Sequence, residues 1–129
     1  MATWPLIARI PLAFMLIAHG LAHLVGVRAL WGMESIGEEG GFAEPALGWL
    51  AEGTAGVIHG AVWLLACAAF VVLGVLLLSG RTVLLSVAAA SAFSLLLSLL
   101  VWPGAPIGVV LNLLLMVGAV AAWFFRGTR

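Results

Sequence analysis

Four apolar stretches govern what this chain can fold into. They run from about Leu6 to Val27, Ala55 to Leu78, Thr82 to Val101 and Pro106 to Phe125, each roughly 20 residues long, which is the length that carries a helix across a hydrocarbon core. Backbone N–H and C=O groups in lipid must find partners within their own segment or around a closed barrel. These stretches lack the strict alternation of barrel strands and are too long for them, so all four are expected to be helices. Composition agrees. Of the 129 residues, 65% are hydrophobic and 8% are charged, against about half and about a quarter in soluble domains. So few ionisable groups cannot cover a soluble fold. The expected solvent is the lipid bilayer, and the expected organisation is a single transmembrane domain. The first stretch begins near Met1, but it has the length of a span, which argues against a cleaved signal peptide.

Between the stretches lie two short turns and one long connection. Ser79-Gly80-Arg81-Thr82 is a tight polar turn in which Thr82 is expected to cap the third helix. Trp102-Pro103-Gly104-Ala105 forms the second turn, and Pro106 suits the first position of a helix. Short turns make sequence neighbours antiparallel, so the expected fold is an all-α, up-down-up-down, antiparallel four-helix transmembrane bundle. Pro11 falls in the first turns of its helix, where it costs little. The connection over residues 28–54 holds all five glutamates and the run Gly37-Glu38-Glu39-Gly40-Gly41, with Trp31 and Trp49 as expected interfacial anchors. A short surface helix over Pro45 to Glu52 is also expected.

Charge sets the expected orientation. The five basic residues are Arg9, Arg28, Arg81, Arg126 and Arg129. With four spans, all but Arg28 fall on one side, and the positive-inside rule places that side and both termini in the cytoplasm. Net charge is zero with no basic run, so nothing provides the electrostatic footprint of a nucleic-acid binder. Cys67 is the one cysteine. It excludes an intrachain disulfide and a thiolate cage, and inside an apolar run it acts as a small hydrophobe.

Small residues at four-residue spacing favour close helix approach in lipid. Ala18, Ala22 and Gly26 form such a stripe on the first span, Gly56 and Gly60 on the second, Ser86, Ala90, Ser94 and Ser98 on the third, and Gly118 and Ala122 on the fourth.

Ionisable residues inside spans are costly and point to function. Three matter here: His19, His23 and His59. At about 1.5 Å of rise per residue, His23 lies roughly 7 Å, His59 roughly 6 Å and His19 roughly 13 Å below the non-cytoplasmic boundary. Asn112, Ser94 and Ser98 fall at similar depths, and Trp63 stands one turn from His59 on the same face. His19 and His23 share a helix face and can chelate one ion, and with His59 they would make a three-imidazole site for zinc or copper. The same rings suit the axial positions of a b-type haem, or hydrogen bonds to a quinone head group with Trp63 or Trp102 stacking on it. The plainer alternative is interhelical hydrogen bonding to serine, asparagine or a carbonyl, with Asn112 as glue between helices. The chain carries no P-loop, no HExxH pair and no Ser-His-Asp order.

The segment Arg9-Ile-Pro-Leu-Ala-Phe-Met-Leu-Ile-Ala-His-Gly-Leu-Ala-His-Leu24 resembles the opening helix of the DoxX-like group of small bacterial membrane proteins. In that group an arginine starts a span that ends in Gly-Leu-Ala-Lys-Leu or a close variant; here the ending is Gly20-Leu21-Ala22-His23-Leu24. The resemblance implies a four-span protein of the bacterial inner membrane, associated with oxidoreductases that work with quinones or sulfur compounds. It transfers no catalytic residue, because His23 stands where the group has lysine. Two functional expectations follow: a small subunit or accessory of a membrane redox system holding haem, metal or quinone at the histidines, and a non-catalytic assembly subunit that bundles with partner subunits or with its own copies.

Overall fold

The computed structural model describes residues 5–31, 52–101 and 105–127. Within them the chain forms four helices: α1 (Leu6–Leu30), α2 (Gly53–Leu78), α3 (Leu84–Leu100) and α4 (Pro106–Gly127). Three of these, α1, α2 and α4, are long and apolar enough to cross a membrane. The fourth, α3, has 17 residues, or roughly 25 Å at 1.5 Å per residue, somewhat less than a ~30 Å hydrocarbon core. The bundle wears its apolar residues outward: Phe14 is 73% and Leu114 65% exposed. A surface of that kind calls for lipid. The glutamate-rich run, Trp49, the short surface helix and the Trp102-Pro103-Gly104 turn lie outside the described residues.

The α2–α3 turn shows why α3 is short. Gly80 adopts φ 83°, its N–H donates to the Leu77 carbonyl, and the Arg81 N–H donates to the Leu76 carbonyl, both at 3.0 Å. This is a Schellman ending, in which a left-handed glycine lets the chain fold back on the last carbonyls. Closing α2 in this way uses the chain through Arg81. α3 therefore starts at Leu84, with Val83 at its cap and no side-chain capping bond, and the expected Thr82 cap is displaced. Pro106 does open α4, and α1 runs unbroken through Pro11.

α1 packs on α2 and α3 on α4, with a lesser α2–α3 contact. Along the α1–α2 seam, successive α1 residues meet α2 residues in reverse order. Ala13 and Ile17 lie against Gly74, Gly20 against Cys67 and Phe70, Gly26 against the Trp63 ring, and Trp31 against Gly60. A Cβ on Gly74 would stand 2.6 Å from Ile17, and one on Gly20 would stand 2.9 Å from the Cys67 carbonyl oxygen. Trp31, at the end of α1, donates its indole N–H to the Val57 carbonyl at 3.3 Å. It closes the seam on Gly60 and is tied to α2 by that bond.

The small-residue stripes are only partly turned inward. Gly26, Gly56, Gly60, Ser94 and Ser98 are buried, whereas Ala18, Ala22, Ser86 and Gly118 are exposed. On α1 the reason is rotational. Each helical residue is offset by about 100° from the next, so a helix that turns His19 and His23 out of lipid also turns Ala18 and Ala22 into it. An imidazole in lipid costs more than an alanine left there. The inward row is Ala13, Leu16, Gly20, His23 and Val27.

Candidate functional site

The buried interior has three layers. One apolar cluster holds Leu16, Phe70, Leu73, Val83, Val87 and Ala119. A second, toward the other end, holds Val27, Leu30, Trp63, Ala66, Leu97 and Val101. Between them lie the buried polar residues His19, His23, Ser91, Ser94, Ser98 and Asn112. The sequence places these polar groups in one half of the bundle; the structure adds an apolar lid between them and that end.

Within the layer the bonds close a circuit. His23 Nδ1 lies 2.9 Å from the His19 carbonyl oxygen. A carbonyl can only accept, so His23 carries a proton on Nδ1, and as a neutral ring it presents a lone pair at Nε2. Ser94 Oγ–H, 2.6 Å away, donates to that lone pair. Ser94 Oγ in turn accepts from Asn112 Nδ2 at 2.8 Å, which leaves Asn112 Oδ1 to accept from His19 Nε2–H at 3.0 Å. Turning the Asn112 amide over would require His23 to donate from both nitrogens as an imidazolium, and a charged ring between two apolar layers is heavily disfavoured. The circuit thus runs from His19 to Asn112, to Ser94, to His23 and back to His19, joining α1 to both α3 and α4. Ser98 Oγ donates to the Ser94 carbonyl at 2.9 Å, and Asn112 Nδ2 reaches Ser98 Oγ at 3.5 Å.

Aromatic rings frame the circuit. The His19 and His23 rings stand edge to face with centroids 5.0 Å apart. Phe70, fully buried, lies 4.7 Å from the His19 ring and 5.6 Å from the His23 ring. On the other side Trp63 sits 5.4 Å from His23 and donates its indole N–H to His59 Nε2 at 3.1 Å. An indole can only donate, so Nε2 of His59 is an acceptor. His59 therefore joins the layer through Trp63.

Each sequence-selected residue, His19, His23, His59, Trp63 and Asn112, is buried. His59 is not level with His23 as expected, however: Gly26 faces Trp63 and Trp31 faces Gly60, so His59 lies near the end of α1 and meets the layer through Trp63. Among the described residues, no three His, Cys, Asp or Glu side chains form a group that could hold a metal ion. Sequence reasoning passed over Phe70, which carried no signal beyond its apolar neighbours. It also passed over Ser91, a fully buried residue whose hydroxyl has no hydrogen-bond partner among the described residues. No protein family, curated protein or solved structure matches the chain, so its chemistry is read from its own residues.

Proposed function

We propose that this is a four-span, antiparallel up-down-up-down protein of the bacterial inner membrane, with both termini in the cytoplasm. In this reading its histidine layer locks the bundle, and it serves as a non-catalytic assembly subunit that binds partner subunits or further copies of itself. The observation that carries the reading is the closed circuit. His23 uses both ring nitrogens, His19 uses Nε2 and His59 accepts at Nε2, so a ligand would have to break bonds that the neutral rings already make. The outward face of α1 supports the assembly role: Ala18 and Ala22 are exposed, and small residues in lipid are where helices of separate chains approach closely. Four arginines against one support the orientation, and the DoxX-like opening of α1 adds support for the compartment.

A second reading keeps the histidines as ligands of haem b, copper, zinc or a quinone in a redox subunit. The observation favouring it is the unbroken run of rings from His19 through His23 and Trp63 to His59. One preparation separates the two. Detergent-purified protein, carrying a photo-crosslinking side chain at Ala22, is assayed by absorption spectrum, elemental analysis and quinone extraction, and crosslinked in intact membranes. The assembly reading expects no Soret band, no stoichiometric metal or quinone, and a discrete crosslinked product. One equivalent of cofactor that disappears in His23→Ala would establish the redox reading instead, and crosslinking that yields only the single chain would end the assembly role.

A further inference from the structure

The bundle is less completely filled at the end away from the histidine circuit. A cavity of about 230 Å³ lies there, lined in part by Leu12 and Met15 of α1, Val87 of α3, and Leu115 and Gly118 of α4. That is far more room than the ~10–15 Å³ that admits one water. Met15 and Gly118 are exposed, so the space continues to the lipid-facing surface between α1 and α4. A Cβ added to Gly118 would meet nothing within 4 Å. Along α4 the lining extends from Leu114 to Ala122, roughly 12 Å at 1.5 Å per residue, most of the depth of one leaflet of a ~30 Å core.

Among the described residues the charged groups of this cavity are Arg9, one turn into α1, and Arg81, in the α2–α3 turn. The turn is shaped around Arg9. Its Nη1–H donates to the Leu78 carbonyl at 3.3 Å, and a Cβ on Gly80 would stand 2.8 Å from Nη1. Arg9 Nε–H is buried and has no hydrogen-bond partner among the described residues, a donor whose desolvation none of them offsets. Among the described residues no acid lines the cavity, and all five acids of the chain fall between Glu34 and Glu52 in the sequence.

We propose that this cavity binds an anionic phospholipid from the surrounding leaflet, with its phosphate held by Arg9 and Arg81 and one acyl chain lying between α1 and α4. Guanidinium groups match phosphate oxygens in charge and geometry, and basic pockets between spans on the arginine-rich side of a membrane take such head groups. A free anion would satisfy the two arginines and leave the apolar slot empty. A zwitterionic phosphatidylcholine would fill the slot and offer the same phosphate, but would bring its choline cation beside two arginines.

The test uses full-length protein, delipidated in detergent. Thermal stability and native mass spectrometry are recorded with dioleoylphosphatidylglycerol, dioleoylphosphatidylcholine or inorganic phosphate. One phosphatidylglycerol per chain is expected, held about tenfold more tightly than phosphatidylcholine, whose phosphate is the same but whose choline cation is repelled by the two guanidinium groups, with no shift from inorganic phosphate. Arg9→Gln with Arg81→Gln should abolish the preference, and Gly118→Leu, which fills the slot, should weaken both lipids. Arg81→Gln alone guards against a folding defect, since Arg81 is exposed; it should lose part of the preference with its unliganded melting unchanged. Equal binding of the two lipids, a preference that survives the double substitution, or stabilisation by inorganic phosphate equal to that by phosphatidylglycerol would each overturn the proposal.

Discussion

The α1–α2 seam and the junction of α1 with α3 and α4 are held by different means. The seam is apolar and close, with Gly20, Gly26, Gly60 and Gly74 each receiving a side chain or carbonyl of the facing helix. The junction relies on a polar circuit in one half and leaves a cavity in the other. Lipid is as apolar as leucine, so burying aliphatic surface does little to drive helices together there, and van der Waals fit and interhelical hydrogen bonds take over. This chain assigns one device to each contact. The seam should therefore be sensitive to added volume and the junction to lost polar partners.

The sharpest way to break the contrast is to add volume at the seam. A Cβ on Gly26 would clash with the Trp63 ring, and Trp63 also donates to His59 and lies against His23. Gly26→Leu should lower unfolding stability in mixed micelles by about 3 kcal/mol, the upper part of the usual overpacking range. Gly118→Leu, facing open space at the junction, should change it by less than about 0.5 kcal/mol in the absence of added lipid. Equal losses at the two positions would show that the seam is not the closer contact.

Removing a polar partner tests the other half of the comparison. Asn112→Leu strands the His19 Nε2–H and removes the donor to Ser94 Oγ, and should cost about 1–3 kcal/mol as an unsatisfied buried group does. His19→Leu combined with Asn112→Leu should cost clearly less than the sum of the two single changes, because the partners leave together. Additive losses in mixed-micelle unfolding would mean that the circuit does not act as a unit.

Much of this architecture is legible in the chain because lipid permits few alternatives. Twenty apolar residues in lipid must be helical, and Ser79-Gly80-Arg81-Thr82 marks a tight turn. A fixed rise per residue puts His19, His23 and Asn112 in one half of the bundle, but it does not make His59 level with His23: Gly26 faces Trp63 and Trp31 faces Gly60, which sets His59 near the end of α1. Rotation about the helix axis is harder to read. Ala18 and Ala22 have the spacing of an interface stripe as fully as Gly20 and Gly26 have the role of one, and the choice falls to partners on other helices: Ser94 lies 71 residues from His23, and Asn112 lies 93 from His19. The Arg9 bond to the Leu78 carbonyl spans 69 residues, so nothing local to Arg9 marks a cavity mouth. Thr82 misled because a helix start was read without the preceding helix's ending, whose backbone bonds extend through Arg81.

The smallest expected effect discriminates between polarity as such and polarity that is satisfied. Ser91 and Ser94 are both fully buried on α3, one turn apart. Ser94 Oγ takes part in two bonds of the circuit, whereas Ser91 Oγ has none among the described residues. Replacing Ser94 by alanine leaves His23 Nε2 without its donor and Asn112 Nδ2 with only the long 3.5 Å contact to Ser98 Oγ, and should cost about 1–2 kcal/mol. Replacing Ser91 removes a hydroxyl that already bears its desolvation cost uncompensated, so Ser91→Ala should leave stability unchanged or raise it by up to about 1 kcal/mol. Both substitutions delete one oxygen from the same helix face, so volume and helix propensity largely cancel in the comparison. If Ser91→Ala destabilised as much as Ser94→Ala, the stabilising element would be a diffuse serine-lined layer, and the closed path through His19, Asn112, Ser94 and His23 would lose its special standing.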